Sequence, residues 1–200
     1  MNKNSLIEVI EIVGHAGYDD FGKDIVCSSV SSIIITTVNG IYEIDKEYEF
    51  VKDMPLDENG LMNKWHGITY DDFKTKALPE MIAYSKGEQL PIGYVPMTFF
   101  FLWDDEKIVG QFRLRHYLND TLKNGAGHIG YFIKNEFRGK GYGKEGLRLI
   151  IDQSKKIIPE DEIYLRVNKD NISSLKIMIY NGGYIASEDD DKYFVRIRIK

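Results

Sequence analysis

The 200-residue sequence contains a single cysteine, Cys27, so no disulfide can form within the chain. Such cysteine usage is typical of a protein that folds in a reducing compartment. No apolar run approaches the roughly 20 residues that a membrane-spanning helix needs. The first residues, MNKNSLIEVIEIVGHAG, lack the apolar core and the small-residue cleavage site of a secretory signal. We therefore expect a cytoplasmic location and no membrane partner.

The sequence also lacks an excess of positive charge. The sequence has 26 Lys and Arg against 31 Asp and Glu, a net charge of −5, whereas nucleic-acid-binding proteins usually carry a basic footprint. We expect no nucleic-acid partner and no bound metal. With 43% hydrophobic and 28% charged residues, the composition is ordinary for a globular protein with a sizeable core.

The most informative stretch is residues 128–156, which predicts a strand, a glycine-rich turn and a helix. Ile129 to Ile133 is a short apolar run that suits a buried strand. Glycines at every second position follow it. A helix of about four turns comes next, because its apolar residues recur at three- and four-residue spacings. These are Leu147, Ile150, Ile151 and Ile158.

This turn has the chemistry of a phosphate-binding site. Glycines allow the backbone N–H groups to approach a ligand closely, and the first turn of a helix has N–H groups without internal partners and a dipole that favours anions. Arg138, Lys140 and Lys144 add positive charge. A plain glycine turn with solvated basic residues is the alternative. The spacing fits neither the P-loop nor the dinucleotide-binding fingerprint.

The run Arg138-Gly139-Lys140-Gly141-Tyr142-Gly143 resembles the acyl-CoA-binding motif of the GNAT N-acetyltransferase superfamily at each fixed position. A second segment, from Asn168 to Ser174, followed by a helix and then by Asn181-Gly182-Gly183-Tyr184, is similar to a second motif of that superfamily. The resemblance covers about residues 43–200. It implies an α/β fold with a mixed twisted sheet flanked by helices, and acetyl-CoA as co-substrate.

By this resemblance, the chain moves an acetyl group from acetyl-CoA to an amine of a small molecule or a protein by direct attack in a ternary complex. The resemblance implies a set of donor-binding residues along the strand, the turn and the second motif. They are Tyr131, Phe132, Ile133, Arg138, Gly139, Lys140, Gly141, Tyr142, Gly143, Lys144 and Asn171. A catalytically silent CoA-binding module is an alternative, and a homodimer is left open.

Candidates for the proton transfers are few. Many relatives place a glutamate base where this sequence has His128, and a histidine is able to accept a proton near neutral pH. His116 is a second candidate. Where many relatives place a tyrosine acid, seven residues after Asn171, this sequence has Met178, which cannot donate a proton. Water or the leaving thiolate's own modest basicity is then expected to suffice.

The N-terminal part carries a second resemblance. GHAGYDDFGKDIVCSSVSS is similar to the active-site segment of the ribosomal-processing cysteine protease family, over about residues 5–41. It implies His15 and Cys27 as a catalytic pair and a cysteine protease as an alternative function. We predict two units, 1–42 and 43–200. Residues 24–39 favour a buried helix by periodicity, but the β-branched stretch 33–41 would instead supply the first strand of the acetyltransferase sheet.

Two arginines alternate with apolar residues in the strand predicted over 107–116. Arg113 and Arg115 alternate with Phe112 and Leu114, so one face of this strand is basic. A solvated sheet face would explain the pattern, and so would a site for a carboxylate on the acceptor. The helices predicted between residues 42 and 84 would form a flap over that acceptor.

Overall fold

The computed structural model of the protein describes residues 33–37 and 43–200, the first range by its backbone alone. Nine strands are described: β1 Ile33–Thr37, β2 Asp57–Glu58, β3 Leu61–Met62, β4 Met97–Asp104, β5 Lys107–Arg115, β6 Ile129–Ile133, β7 Glu162–Asn168, β8 Tyr184–Glu188 and β9 Lys192–Arg198. Six α-helices accompany them: α1 Ile44–Asp53, α2 Tyr70–Asp72, α3 Leu78–Lys86, α4 Asp120–Lys123, α5 Tyr142–Ile157 and α6 Ile172–Tyr180. The predicted α/β architecture is confirmed.

The longer strands form two sheets that lie side by side. The first has the order β1-β4-β5-β6 and the second the order β7-β9-β8, with antiparallel pairing throughout each. The short pair β2–β3 forms a separate hairpin, residues 57–62. The two sheets adjoin where β6 begins beside β7, and this junction positions the candidate site.

Both faces of the first sheet are covered. Alternate residues of β4 point to opposite faces, and buried apolar residues lie on each. Phe100 and Leu102 pack toward α5, which presents Leu147 and Ile150. On the other face lie the side chains of α1, α2 and α3 and of the segment between them. There Phe50 packs edge-to-face on Phe101, with ring centroids 5.8 Å apart. The apolar spacing in α1 and α5 therefore places one helix layer on each side.

The helix predicted over residues 24–39 is wrong where the structure describes that range. Ile33–Thr37 is a strand that pairs antiparallel with β4, with Ile34 opposite Trp103. A short β-branched run fits either structure by periodicity, and the free edge of β4 decides in favour of the strand. Residues 24–32 lie outside the described residues.

Three elements were not predicted. The hairpin β2–β3 and the short helix α4 are two of them. Every residue of β8 is exposed, so no alternation of apolar side chains marked it as a strand. In the predicted flap, α2 passes into α3 through a π-helical turn, Phe73–Ala77, just before Pro79. Proline has no N–H to donate and commonly interrupts regular helix geometry, in agreement with the widened turn that precedes it.

Among the described residues, no helix is both long and apolar enough to cross a bilayer. Within the same part of the chain, no three His, Cys, Asp or Glu side chains converge in a way that would hold a metal ion.

Candidate functional site

The candidate site is the gap between β6 and β7. Where β6 begins, the N–H of His128 donates to the carbonyl oxygen of Tyr164 over 2.7 Å. The N–H of Tyr164 donates in return to Nδ1 of His128 over 2.9 Å. Beyond this pair, no backbone hydrogen bond joins the two strands in the described structure. The edge of β6 from Tyr131 to Ile133 is therefore open toward β7, and these are the strand residues that the resemblance implied for donor binding.

The glycine turn opens into the same gap. Gly139 and Gly141 have φ values of 77° and 91°, which strongly favour glycine. From Gly139 to Gly143, five consecutive backbone N–H groups donate no hydrogen bond to any described residue. The space beside Gly139 is open, since nothing lies within 4 Å of where a side chain would begin. Free N–H donors at the start of a long helix such as the 16-residue α5 are suited to binding an anion.

The basic residues of the turn have different surroundings. Nε of Arg138 donates to the carbonyl oxygen of Ile133 over 2.9 Å, and its Nη2 lies 2.9 Å from Oε1 of Glu58 on the β2–β3 hairpin. Lys140 and Lys144 have no carboxylate within ion-pair distance in the described structure. Nζ of Lys144 lies 4.1 Å from the ring centroid of Tyr180. The turn thus keeps two exposed cations beside its free N–H groups.

Two turn residues serve packing. The hydroxyl of Tyr142 donates to Oδ2 of Asp104 over 2.6 Å, and burial raises the pKa of this tyrosine to about 12. Its side chain therefore anchors α5 to the β4–β5 hairpin. At Gly143, a side chain would meet Cδ1 of Ile177 at 2.7 Å. Gly143 therefore permits the close approach of α5 to α6.

His128 is fully buried at the junction of the sheets. Its Nδ1 accepts the Tyr164 N–H, and its Nε2 lies 3.3 Å from Oε2 of Glu160. That contact is misaligned, and neither atom has a hydrogen bond within the described residues. Burial lowers the pKa of His128, so the neutral ring is favoured. The surroundings suit a brace between the sheets, and the assignment of His128 as base stays a prediction.

His116, the second candidate, follows β5. Its Nε2 lies 2.8 Å from Oγ1 of Thr98, and partial burial lowers its pKa. Cys27 and His15, the pair of the protease interpretation, lie outside the described residues.

The second motif forms the start of α6. Asn171 caps this helix, because its Oδ1 accepts the N–H of Ser174 over 3.1 Å. Met178 is buried in the core. A hydroxyl from β6 nevertheless reaches the first turn of α6. Oη of Tyr131 lies 3.4 Å from the carbonyl oxygen of Ser174, one helical turn before Met178. Burial raises the pKa of Tyr131 to about 12, so its phenol stays protonated at neutral pH.

Sequence reasoning missed four residues near the gap or in its cover. The side chain of Tyr131 was not assigned a role, although its place in β6 was predicted. Arg166 on β7 and Arg196 on β9 join the arginines of β5 only because the second sheet lies beside the first, and no local pattern indicates this. Glu47, on the buried face of α1, is only 2% exposed.

Two family models match the chain. The acetyltransferase (GNAT) domain matches residues 49–183, more than half of the chain. Cysteine protease Prp matches residues 1–85, less than half, and confirms the resemblance of the N-terminal segment. The two matches overlap over residues 49–85, which hold the end of α1, the β2–β3 hairpin, α2 and nearly all of α3. In the structure α1 packs on β5, α3 on β4 and the hairpin on β6. No curated protein sequence matches the chain at a significant level.

Solved structures with a similar fold are acetyltransferases. N-acetyltransferase PseH from Campylobacter jejuni is 18% identical with a TM-score of 0.55, and the match covers 84% of this chain and 99% of that chain. RimJ from Mycobacterium smegmatis, in complex with CoA-disulfide, is 16% identical with a TM-score of 0.60 and coverages of 84% and 82%. Ribosomal-protein-S5-alanine acetyltransferase from Vibrio fischeri is 15% identical with a TM-score of 0.59 and coverages of 84% and 92%.

Sequence identities of 15–18% to these structures establish only that the fold is shared. The class of enzyme follows from the family model that matches residues 49–183. The chain belongs to the GNAT acetyltransferase family, and it is by family an acetyl-CoA-dependent N-acetyltransferase, as the turn from Arg138 to Gly143 predicted.

Proposed function

We propose that the protein transfers the acetyl group of acetyl-CoA to a primary amine by direct attack within a ternary complex. The amine nitrogen forms a bond to the carbonyl carbon as the bond from that carbon to sulfur breaks. One proton must leave the ammonium group of the acceptor, and one must reach the departing thiolate. The observation that carries this proposal is the run of five free N–H groups from Gly139 to Gly143 beside an open strand edge.

The donor would lie along β6 and end at the turn. The pyrophosphate is expected at the free N–H groups, where the dipole of α5 and the two exposed lysines favour negative charge. The pantetheine amides are expected to pair with the open edge of β6, at Tyr131, Phe132 and Ile133. Asn171 would lie near the thiol end, with its Nδ2 directed to the donor because its Oδ1 caps α6.

Tyr131 is our candidate for the acid. Its hydroxyl lies beside the first turn of α6, one helical turn before Met178, on the same side of that helix. A tyrosine at position 178 would point its side chain back toward this same turn. The protonated phenol of Tyr131 therefore replaces the missing family tyrosine from a different strand.

His128 has two candidate roles, base and brace. The base role follows from its position before β6. The brace role follows from its two contacts with Tyr164 and its burial. In either role it acts where the gap between the sheets begins.

The acceptor would approach from the side covered by α1, α2, α3 and the β2–β3 hairpin. Leu61 of that hairpin lies over Gly130, where a side chain would meet its Cδ1 at 2.8 Å. The hairpin also contacts the turn through Glu58 and Arg138. The choice of acceptor therefore depends on this cover.

Release of free CoA, followed with a thiol reagent, tests the proposal on a panel of amines, with mass spectrometry to detect an acetylated product. Amine-dependent CoA release that depends on Tyr131 is expected. Binding of acetyl-CoA without turnover on a broad panel would instead support the silent CoA-binding module.

Cysteine protease activity is a second candidate, favoured by the match over residues 1–85. It requires a thiolate at Cys27 with a lowered pKa, near His15. Rapid alkylation of Cys27 by iodoacetamide at neutral pH would support it, whereas alkylation at the rate of an ordinary thiol would count against it.

A further inference from the structure

Four arginines converge beside the gap between the sheets. Arg113 and Arg115 lie on β5, Arg166 on β7 and Arg196 on β9, and together they are named here the arginine cluster. Arg115 lies close enough to Arg166 and Arg113 for mutual repulsion. Arg115 and Arg196 both act electrostatically on His128. The strand register agrees with this, since Arg113 lies opposite Gly130 of β6 and Arg196 opposite Tyr164 of β7, beside the point where β6 and β7 meet.

The cluster differs from the other arginines of the chain in having no anionic partner. Arg138 pairs with Glu58, Arg148 with Glu145 and Asp152, and Arg198 lies 3.6 Å from Glu162. No arginine of the cluster has a carboxylate within 4.0 Å among the described residues. The acidic residues nearby have other partners. Oε1 of Glu160, beside His128, accepts the N–H of Leu118, Oδ1 of Asp57 accepts the N–H of Gly60, and Glu58 pairs with Arg138.

The arginines of β5 are held in place by neutral acceptors. Arg113 donates from Nη1 to the carbonyl oxygen of Met62 over 2.5 Å and from Nε to Oε1 of Gln111 over 3.0 Å. Arg115 donates from Nη1 to the carbonyl oxygen of Gly127 over 3.0 Å. Burial lowers the pKa of Arg113 to about 10, so the group remains charged at neutral pH.

The arginines of the second sheet are also oriented. The guanidinium carbon of Arg196 lies 3.6 Å from the ring centroid of Tyr164, the residue that pairs with His128. Nη2 of Arg166 lies 3.9 Å from where a side chain on Gly60 would begin, at the tip of the β2–β3 hairpin. The same hairpin that accepts from Arg113 therefore faces Arg166 across the gap.

Holding several partly buried guanidinium groups near one another without ion-pair partners is unfavourable, and a bound anion would lower that cost. The protein has a net charge of −5, so a general excess of arginine does not explain the arrangement. Guanidinium groups match carboxylate and phosphate oxygens in pairs of hydrogen bonds.

We infer that the arginine cluster binds an anionic group, a carboxylate or a phosphate, carried by the acceptor amine. This inference rests on the proposed function, because the cluster lies on the side covered by the hairpin, where the acceptor would approach. It narrows the acceptor to amino acids, aminoalkyl phosphates and similar amines that bear an anion. Arg115 and Arg166 then determine specificity for the acceptor.

The first test is calorimetric titration of inorganic phosphate and of acetate, at constant ionic strength, into the full chain and three variants. We expect saturable binding of one anion by the wild type, at least tenfold weaker binding by Arg115→Gln and Arg166→Gln, and unchanged binding by Arg198→Gln. Phosphate also suits the glycine turn, so the titrations are repeated with CoA at saturation. Phosphate binding alone would indicate a phosphate-bearing acceptor, and acetate binding alone a carboxylate-bearing one.

The second test compares matched amines: ethanolamine with O-phosphoethanolamine, and alanine amide with alanine. In at least one pair, we expect kcat/KM to be at least tenfold higher for the anionic amine than for its neutral counterpart. In Arg166→Gln we expect this difference to disappear because KM for the anionic amine rises. The inference is wrong if neither anion binds saturably, if binding is the same in Arg166→Gln, or if the neutral amines are equally good acceptors. Failure of acetyl-CoA to bind would instead overturn the proposed function, and the anion titrations would still report on the cluster.

Discussion

His128 and Tyr164 exchange two hydrogen bonds across the junction of the two sheets, one from backbone to backbone and one from the Tyr164 N–H to Nδ1 of the imidazole. The side chain of His128 thus takes the place of a backbone acceptor at the last point where β6 and β7 are joined. Beyond it the strands separate, and the donor site begins.

His128→Asn and His128→Ala distinguish the brace from the base. The amide oxygen of asparagine is able to replace Nδ1 as acceptor, whereas alanine leaves a buried N–H unsatisfied at a cost of about 1–3 kcal/mol. As a brace, His128→Asn is expected to keep most of kcat and the wild-type pH profile, while His128→Ala loses stability and activity together. If His128 is the base, His128→Asn folds normally but loses activity and the acidic limb of its pH–rate profile.

Glu47 is expected to make the stability of the protein depend on pH. Burial raises the pKa of its carboxyl to about 8 from an ordinary 4.5. The folded protein therefore holds this proton more tightly than the unfolded chain, and the free energy of unfolding falls as the pH rises from 4.5 to 8. The effect is of the order of 4 kcal/mol.

Glu47→Gln removes this titration and is expected to stabilise the protein by a few kcal/mol at pH 8, with little effect at pH 5. Urea unfolding at both pH values measures it. Glu49→Gln, on the exposed face of the same helix, is the control and should leave the pH dependence unchanged. Equal stability of Glu47→Gln and the wild type at pH 8 would show that the carboxyl is not buried as described.

Tyr131→Phe tests the proposed acid. Its hydrogen bond to Ser174 is long, so loss of the hydroxyl should change stability by less than about 1 kcal/mol. If the phenol protonates the leaving thiolate, kcat should fall by about 10²-fold with KM for acetyl-CoA little changed. Tyr184→Phe, whose hydroxyl donates to Glu162 on the second sheet, should keep full activity. An unchanged kcat in Tyr131→Phe would remove the acid assignment.

Deletion of residues 1–42 tests the predicted division of the chain. It removes β1 and leaves the edge of β4 from Phe100 to Asp104 without a partner. An unpaired, largely apolar edge promotes association between chains. We expect the truncated protein to be less stable and to aggregate on concentration. Full stability and unchanged binding of acetyl-CoA would instead make residues 43–200 a self-sufficient domain.

The sequence predicts the elements whose patterns are local and regular. Strand β6 and helix α5 have strong periodicity and glycine boundaries, and the structure places them within a residue or two of the prediction. Strand β8 was missed because its exposed residues show no alternation. The structure of Ile33–Thr37 could not be derived locally, since its pairing with β4 across more than 60 residues selects the strand.

The candidate site divides in the same way. The turn from Arg138 to Gly143 was predictable, because its ligand chemistry depends on glycine spacing and a helix that directly follows. The brace role of His128 depends on Tyr164, and the grouping of Arg115 with Arg166 depends on how the two sheets lie together. These contacts join residues more than 30 positions apart, so no local sequence motif predicts them.

The most direct test of the central claim is calorimetric titration of acetyl-CoA into the full chain, Gly139→Val and Gly182→Val. Both glycines have a positive φ and open space around them, so the strain of substitution is matched and only Gly139 lies in the turn. The account predicts saturable binding of one acetyl-CoA per chain by the wild type and Gly182→Val, and at least tenfold weaker binding by Gly139→Val. No binding by the folded wild type, or equal affinity in all three proteins, would contradict it.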